Sequence, residues 1–302
     1  MYGVPALSAS VREYFAEQKV KEVKTPCLLE LPTAEPNVSS FSLVHKGCKR
    51  YLRTSPESAL KQIVCRDACD IFELATVFRG DEVGKCHLQE FTMVEWYRVG
   101  MGYKRLMKDV SELLHYIGLS GAITSLTYDE LFRGEFGFSC HNSPTSRLKA
   151  VALDLGFTVS ETDLNDRDVL FDFLDSHLTS SSLSGRGLTF VFDYPSELRC
   201  YSELTTGSPT IAKRFELFAD GLELANGYEE ILSAKQQRDC FISENKIRAK
   251  RGLSIVPLDD NWLCSLANAN FKKLSGVALG LERVLMKIGG IKDIRQLDRG
   301  AI

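Results

Sequence analysis

No two of the nine cysteines in this chain form a C-x-x-C pair. A zinc site of familiar spacing is therefore not expected, and the scattered thiols read as reduced, mostly buried side chains of a cytoplasmic protein. Cys65 and Cys69 stand four apart and are expected on one helix face, but two thiols alone make a poor metal site. The chain also has no lysine-rich tail, no block of like charge and no basic surplus. Its 37 basic residues stand against 40 acidic ones, a formal net charge of −3. A basic face for a nucleic-acid backbone is thus not expected. No apolar run approaches the roughly 20 residues of a membrane-spanning helix, so no membrane partner is expected. Met1 to Ser10 lacks the basic-then-apolar order of a secretory signal. Repeats and disordered linkers are missing too. That leaves 302 residues for one domain, 1–302, with a sizeable core.

What is present is a succession of helical and alternating patterns. Residues 10–20 read as an amphipathic helix with Val11, Tyr14 and Phe15 on one face. Residues 21–26 read as a short strand ended by Pro26, and 31–50 as a loop. Ser55-Pro56-Glu57 is a helix start: serine can cap, proline suits the first turn, and glutamate favours the positive end. Ala59, Leu60, Ile63 and Val64 then give a helical stripe. Residues 71–79 and 89–99 read as strands joined by a polar loop. Residues 104–185 are mostly helical patterns with serine-rich breaks and read as an insertion. A strand over 188–194 precedes a hairpin whose arms, Arg214 to Ala219 and Leu222 to Tyr228, flank the turn signal Asp220-Gly221. A helix is expected over 230–251, and an apolar strand over 276–280 runs into a helix over 281–287.

Three segments carry chemistry. The first is Phe78-Arg79-Gly80-Asp81-Glu82 with Glu90 to Arg98. A strand period of two puts Phe91, Met93, Glu95 and Tyr97 on one face. A purine can stack on Phe91, an amine can bind Glu95 and Tyr97, and Arg79 at the loop mouth can clamp a phosphate or carboxylate. The same pattern fits a half-buried strand with satisfied polar groups equally well. The second is Glu216 with Glu223-Leu224-Ala225-Asn226-Gly227-Tyr228-Glu229-Glu230. Glu216 and Glu223 can face each other across the hairpin and hold magnesium, a cation that prefers oxygen ligands; a solvated acidic hairpin is the alternative. Asn226, Tyr228 and Glu230 share a face if the strand continues. The third is Gly276-Val277-Ala278-Leu279-Gly280-Leu281-Glu282-Arg283. Its glycines let a strand pass close to a ligand, and Arg283 on the first helical turn would point at phosphate. Tight strand–helix packing explains that segment on its own.

Together the three segments resemble motifs 2 and 3 and the intervening strands of class II aminoacyl-tRNA synthetases, in their lysine subgroup. The helix over 10–20 with Val23-x-Thr25-Pro26 resembles motif 1, the dimer motif. Thr54-Ser55-Pro56-Glu57, Glu223-Leu224-Ala225-Asn226-Gly227 and Gly276-Val277-Ala278-Leu279-Gly280 look like the elongation factor P β-lysine ligases, paralogues of that subgroup without the anticodon-binding domain. The resemblance implies an α+β class II core, an antiparallel sheet flanked by helices, with the helical insertion at 104–185. It implies a ligase that uses ATP and magnesium to activate β-lysine or lysine, with elongation factor P as acceptor, in a cytoplasmic homodimer.

The resemblance also implies roles. Arg79 would hold the α-phosphate and the substrate carboxylate, Phe91 would stack adenine, and Arg283 would brace the γ-phosphate. Gly80, Asp81, His87, Leu88, Leu224 and Gly280 would border ATP. Ser55, Pro56, Glu57, Glu95, Tyr97, Asn226, Tyr228, Glu230 and Ala278 would line the amino-acid site. Glu216 and Glu223 would hold the magnesium. The chain departs from the family at Arg79-Gly80-Asp81, where Arg-Asn-Glu is usual, and at Leu88-Gln89, where Asn-Pro is usual. Leu88 cannot donate the hydrogen bond that an asparagine would. Two rival readings remain: a lysyl-tRNA synthetase and a synthetase-like regulator without activity. Only a short segment precedes the motif 1 helix, so no N-terminal barrel is expected there and no tRNA partner.

Overall fold

The computed structural model describes residues 3–297. The chain divides into two compact units, Met1–Ser120 with Glu230–Ile302, and Gly121–Glu229.

The first unit opens with α1 (Val4–Glu17), which carries Pro5 in its first turn and buries Leu7, Val11, Tyr14 and Phe15. The 3-4 spacing of those residues gives one apolar stripe. The helix starts ahead of the expected Ser10 because proline suits a turn whose N–H groups lack intrahelical partners. Phe15 stacks on Phe72 at 4.4 Å between ring centroids and meets Trp96 edge-on at 5.5 Å. Next come β1 (Lys21–Glu22), β2 (Leu28–Leu29), β3 (Ser42–His45) and β4 (Cys48–Leu52). The order β2-β4-β3 makes a small antiparallel sheet where a loop was expected. Every residue of β3 is exposed, so no alternation marks it. Its tight turn uses Lys46 and Gly47, both with positive φ, instead of a recognisable Asn-Gly or Asp-Gly pair.

α2 (Glu57–Asp67) starts after Pro56, with no side-chain cap from Ser55, and ends at Ala68 in the left-handed region. Cys69 therefore lies beyond the helix and does not share a face with Cys65, contrary to expectation. β5 (Ile71–Phe78) and β6 (Glu90–Val99) form an antiparallel pair with Glu73 opposite Glu95 and Val77 opposite Phe91. α3 (Tyr103–Tyr116) closes this part of the unit.

The second unit contains β7 (Ile123–Thr127), α4 (Tyr128–Phe136), α5 (Thr145–Asp154), α6 (Arg167–Ser182), β8 (Leu188–Pro195), β9 (Ile211–Ala219) and β10 (Leu222–Glu229). Thr127 and Glu130 form a reciprocal capping box at the start of α4. The strands run in the order β10-β9-β8-β7, with only the β7–β8 pair parallel. Asp220 and Gly221 both take positive φ, 51° and 81°, as the Asp-Gly signal between β9 and β10 predicts. The helices cover a core of aromatic and aliphatic side chains that includes Tyr128, Phe132, Phe171 and Tyr194.

The chain then returns to the first unit with α7 (Ala234–Lys250), α8 (Asp260–Ala267), β11 (Leu274–Gly280) and α9 (Leu281–Gly289). β11 pairs antiparallel with β6, giving the order β1-β5-β6-β11 in this unit. Among the described residues no helix is long and apolar enough to cross a membrane.

Candidate active site

In the first unit, α2, β6 and β11 converge on a group of carboxylates. Glu57 sits on the first turn of α2, and Glu95 and Tyr97 lie two apart on β6, on one face as the strand period predicts. The Tyr97 hydroxyl donates to Glu95 Oε1 at 2.7 Å, with both residues buried. Glu230 lies just past β10; its backbone N–H donates to the Leu274 carbonyl at 2.9 Å, which ties it to β11. Opposite Tyr97 on β11 stands Gly276, where an added Cβ would come within 2.8 Å of Glu230 Oε1. The close approach of strand, phenol and carboxylate is what requires glycine there. Lys61, one helical turn past Glu57, places Nζ 2.7 Å from Glu57 Oε1 and 2.6 Å from Glu230 Oε2.

Burial disfavours the charged forms of Glu95 and Glu230. The Glu95 carboxyl is pushed up to about 8 by burial, with the neighbouring Glu57 charge adding to it and Tyr97 and Lys61 opposing. Glu230 is likewise raised to about 8 by burial, against the opposing Lys61 ammonium and with Glu57 adding. Lys61 stays protonated in spite of its burial because Glu230 and Glu57 outweigh it. Sequence reasoning missed Lys61. The only signal was a lysine four residues after a glutamate on a helix, which ordinarily marks a solvated pair.

The groups expected at the phosphates lie around the loop between β5 and β6. Arg79 follows β5; its Nη1 pairs with Glu82 Oε1 at 3.0 Å, and its Nε donates to the Thr54 carbonyl at 3.3 Å. The guanidinium lies over the Phe91 ring, 5.4 Å from the centroid. The Gly80 N–H donates to the Ser39 carbonyl at 2.9 Å, and the Gln89 side-chain amide donates to the Gly80 carbonyl at 2.6 Å. A Cβ at Gly80 would lie 3.0 Å from Ser39 Oγ, so the glycine in place of asparagine matches a crowded backbone. Asp81 and His87 are exposed, and Leu88 is half-buried. Arg283, on the first turn of α9, donates from Nε to the Cys86 carbonyl at 3.2 Å, which fastens the same loop. Its neighbour Glu282 lies on the same helical turn. It is buried, and both its oxygens accept the Thr92 N–H at 2.9 Å, gripping the start of β6. Gly280 caps α9, and Ala278, opposite Glu95, packs against Ala75, Val77 and Met93.

The second unit carries the remaining polar cluster. Glu216 does not stand opposite Glu223: the two-residue turn pairs Glu223 with Phe218, and a bulge between Glu223 and Ala225 then pairs Glu216 with Asn226. Leu224 at that bulge is buried. Arg214 organises the group, pairing with Glu216 through Nη2 and donating from Nε to Asn226 Oδ1 at 3.2 Å. The Tyr194 hydroxyl donates to Glu216 Oε2 at 2.8 Å. Tyr228 lies opposite Arg214. Burial raises Glu216 to about 7; Arg214 opposes, while Glu223 and Asp175 add their repulsion. Glu216 and Glu223 offer hard oxygen donors of the kind magnesium prefers, with Glu216 already paired to Arg214 and Tyr194.

A family model described as tRNA synthetases class II (D, K and N) matches residues 5–298 of the chain. The chain is similar to the elongation factor P–(R)-β-lysine ligase of Salmonella gallinarum, 33% identical over 297 residues that cover 96% of this chain and 90% of the relative. It is 32% identical to the proteins of the same name from Salmonella dublin and Salmonella paratyphi B, with the same coverage.

Proposed function

Because the chain belongs to the class II tRNA synthetases (D, K and N), we propose that it is an ATP-dependent ligase that activates a lysine-type diamino acid, (R)-β-lysine, and passes it to a lysine side chain of elongation factor P. The observation that carries this reading is the group formed by half-buried Glu57 with buried Glu95, Tyr97 and Glu230, acceptors for ammonium groups. The acceptor protein and the β-amino acid come from the name of the relatives.

In the first step a carboxylate oxygen of the amino acid attacks the α-phosphorus of ATP. The bond to the bridging oxygen breaks, and pyrophosphate leaves. Arg79 neutralises charge on the reacting phosphate, Arg283 braces the γ-phosphate and Phe91 stacks the adenine. Gly80, Asp81, His87, Leu88, Leu224 and Gly280 border the nucleotide. Ser55, Pro56, Ala278, Asn226 and Tyr228 border the amino acid. Catalysis by positioning and preset charge needs no covalent enzyme intermediate. Glu216 and Glu223 would hold magnesium, which supplies charge neutralisation to the phosphates. In the second step the acceptor amine, in its neutral form, attacks the acyl carbon; AMP leaves, and the amine's surplus proton passes to solvent.

The working unit is a homodimer in the cytoplasm that charges no tRNA. Nine free thiols accord with that compartment, and the absence of a basic surplus accords with the lack of a nucleic-acid partner. The test is ATP–pyrophosphate exchange with α-lysine, (R)-β-lysine and (S)-β-lysine in parallel. Exchange strongest with (R)-β-lysine is expected. No exchange with any of them would leave a synthetase-like regulator, and salt-sensitive lysylation of bulk tRNA would leave a tRNA synthetase.

A further inference from the structure

None of the roles above uses Lys61, yet its ammonium lies at the centre of the carboxylate group. The side chain is 2% exposed, bridges Glu57 and Glu230, and sits 4.7 Å from the Trp262 ring centroid. An exposed Glu–Lys pair one turn apart is worth only tenths of a kcal/mol. This one is buried, and it holds a second carboxylate that follows another strand. Its Glu230 partner atom is Oε2, which leaves Oε1 beside Gly276 and Tyr97. Glu95 by contrast takes the Tyr97 hydroxyl and, among the described residues, no ion pair. Three carboxyl groups share the Lys61 ammonium in a largely buried space, and burial holds Glu95 and Glu230 toward their neutral forms. A monoamino acid brings one ammonium to that space and favours ionisation of one of these acids. A diamino acid brings two.

We propose that Lys61 is a positioning residue for amino-acid recognition: it fixes Glu57 and Glu230 and sets the pocket's charge, so that the site accepts an amino acid with two ammonium groups and rejects one with a single ammonium group. The inference rests on reading this pocket as the amino-acid site. The titratable groups around Lys61 are Glu57, Glu95, Tyr97, Glu230 and, one turn further along α2, Cys65. Without the ammonium, Glu230 and Glu95 hold their protons to higher pH, so amine binding needs a higher pH.

The test is calorimetric binding of lysine and of norleucine, which shares lysine's carbon chain but lacks the side-chain amine, between pH 6 and 9. Wild type should bind lysine and discriminate against norleucine at least 100-fold. Lys61→Met keeps the length and apolar bulk; it should weaken lysine at least 10-fold at pH 7 and move the pH midpoint of binding upward by a unit or more. Lys61→Arg should restore affinity to within a few-fold. A folded Lys61→Met protein with unchanged lysine affinity and pH midpoint overturns the proposal, whether or not its melting temperature falls. If Lys61→Met does not fold, Glu57→Gln decides. It leaves the Lys61–Glu230 pair, so the midpoint should fall and the lysine/norleucine ratio should shrink; constancy of both overturns the proposal. A wild-type protein that binds neither lysine nor β-lysine overturns the substrate reading and this inference with it, whereas losses confined to the variants bear on Lys61 alone.

Discussion

Gly276 leaves no room for a side chain: an ideal Cβ there would lie 2.3 Å from Tyr97 Cε1 and 2.8 Å from Glu230 Oε1. Tyr97 is buried and cannot swing aside. Gly276→Ala should therefore abolish amino-acid activation and lower stability by about 1–3 kcal/mol, the usual range for overpacking. Pyrophosphate exchange and thermal melting measure both, and near-normal exchange would remove Gly276 from the pocket. The acids beside it set a pH dependence. Glu95 and Glu230 are raised to about 8, chiefly by burial, from an ordinary value of 4.5. A carboxyl raised on folding contributes stability that is full below its unfolded value and is lost as pH rises through the folded one. The ligand-free protein should thus melt at progressively lower temperature from about pH 5 to pH 8. An ammonium ligand prefers the ionised acids, so its affinity should climb over the same interval, and binding at pH 7 should release protons. Calorimetry in buffers of different ionisation enthalpy reads that release, and zero release would show the acids already ionised. Glu57, Glu95, Tyr97 and Glu230 were legible in the sequence because strand alternation and the synthetase-like motifs pointed to them. Lys61 and Glu282 were not, since a lysine one turn after a glutamate and an acid at a helix start both resemble ordinary helix chemistry.

The loop between β5 and β6 departs from the synthetase pattern, and the structure shows what braces it instead. The Gln89 amide spans to the Gly80 carbonyl at 2.6 Å, Gly80 hangs from the Ser39 carbonyl, and Arg283 holds the Cys86 carbonyl. A single hydrogen bond contributes about 0.5–1.5 kcal/mol net. Gln89→Leu should therefore raise KM for ATP roughly 2- to 12-fold, the same energy expressed as a ratio, and leave KM for the amino acid unchanged. An unchanged ATP KM would mean that the brace is redundant. A second joint lies where the chain enters β5. Arg53 and Glu73, both nearly fully buried, pair at 2.8 Å, and Thr25 Oγ1 donates to Glu73 Oε2 at 2.7 Å. Removing one partner of a buried pair costs about 3–5 kcal/mol, so Glu73→Gln should lower the denaturation midpoint markedly; a shift below about 1 kcal/mol would show that the site relaxes. β5, β6, β8 and the β9–β10 hairpin were readable because their apolar runs and the Asp-Gly turn are strong signals. The β3–β4 hairpin was not, as its residues are largely exposed and its turn is Lys-Gly. The short α8 also escaped notice. Its polar start, Asp259-Asp260-Asn261, resembles a loop, although Asp259 caps it through the Trp262 N–H at 3.0 Å.

At the scale of the whole molecule, the resemblance of the first helix and strand to a dimer motif meets a structural fact. The core-facing side chains of α1, Leu7, Val11, Tyr14 and Phe15, are buried within the protomer. Phe15 is stacked on Phe72 and packed edge-on to Trp96, and the Tyr14 hydroxyl donates to Asp109 on α3 at 3.3 Å. The helix therefore needs no second subunit to satisfy its core face. A dimer that uses this region must do so through its outward side. The small β2-β4-β3 sheet adds surface of the right kind: Leu28, Leu43 and Val44 are 53%, 48% and 71% exposed. Two consequences follow for solution behaviour. Light scattering at micromolar concentration should return twice the chain mass of 33.8 kDa, as expected for a self-complementary two-fold contact. On dilution the dimer should separate without unfolding α1, so the helical circular dichroism per residue should stay constant while the mass halves. A mass near 33.8 kDa at every concentration would remove the dimer from the functional reading. A loss of helical signal that tracks dissociation would instead show that packing on Phe72 and Trp96 is too weak to hold α1 in the isolated protomer, which roughly 1.5–3 kcal/mol per buried large apolar side chain argues against.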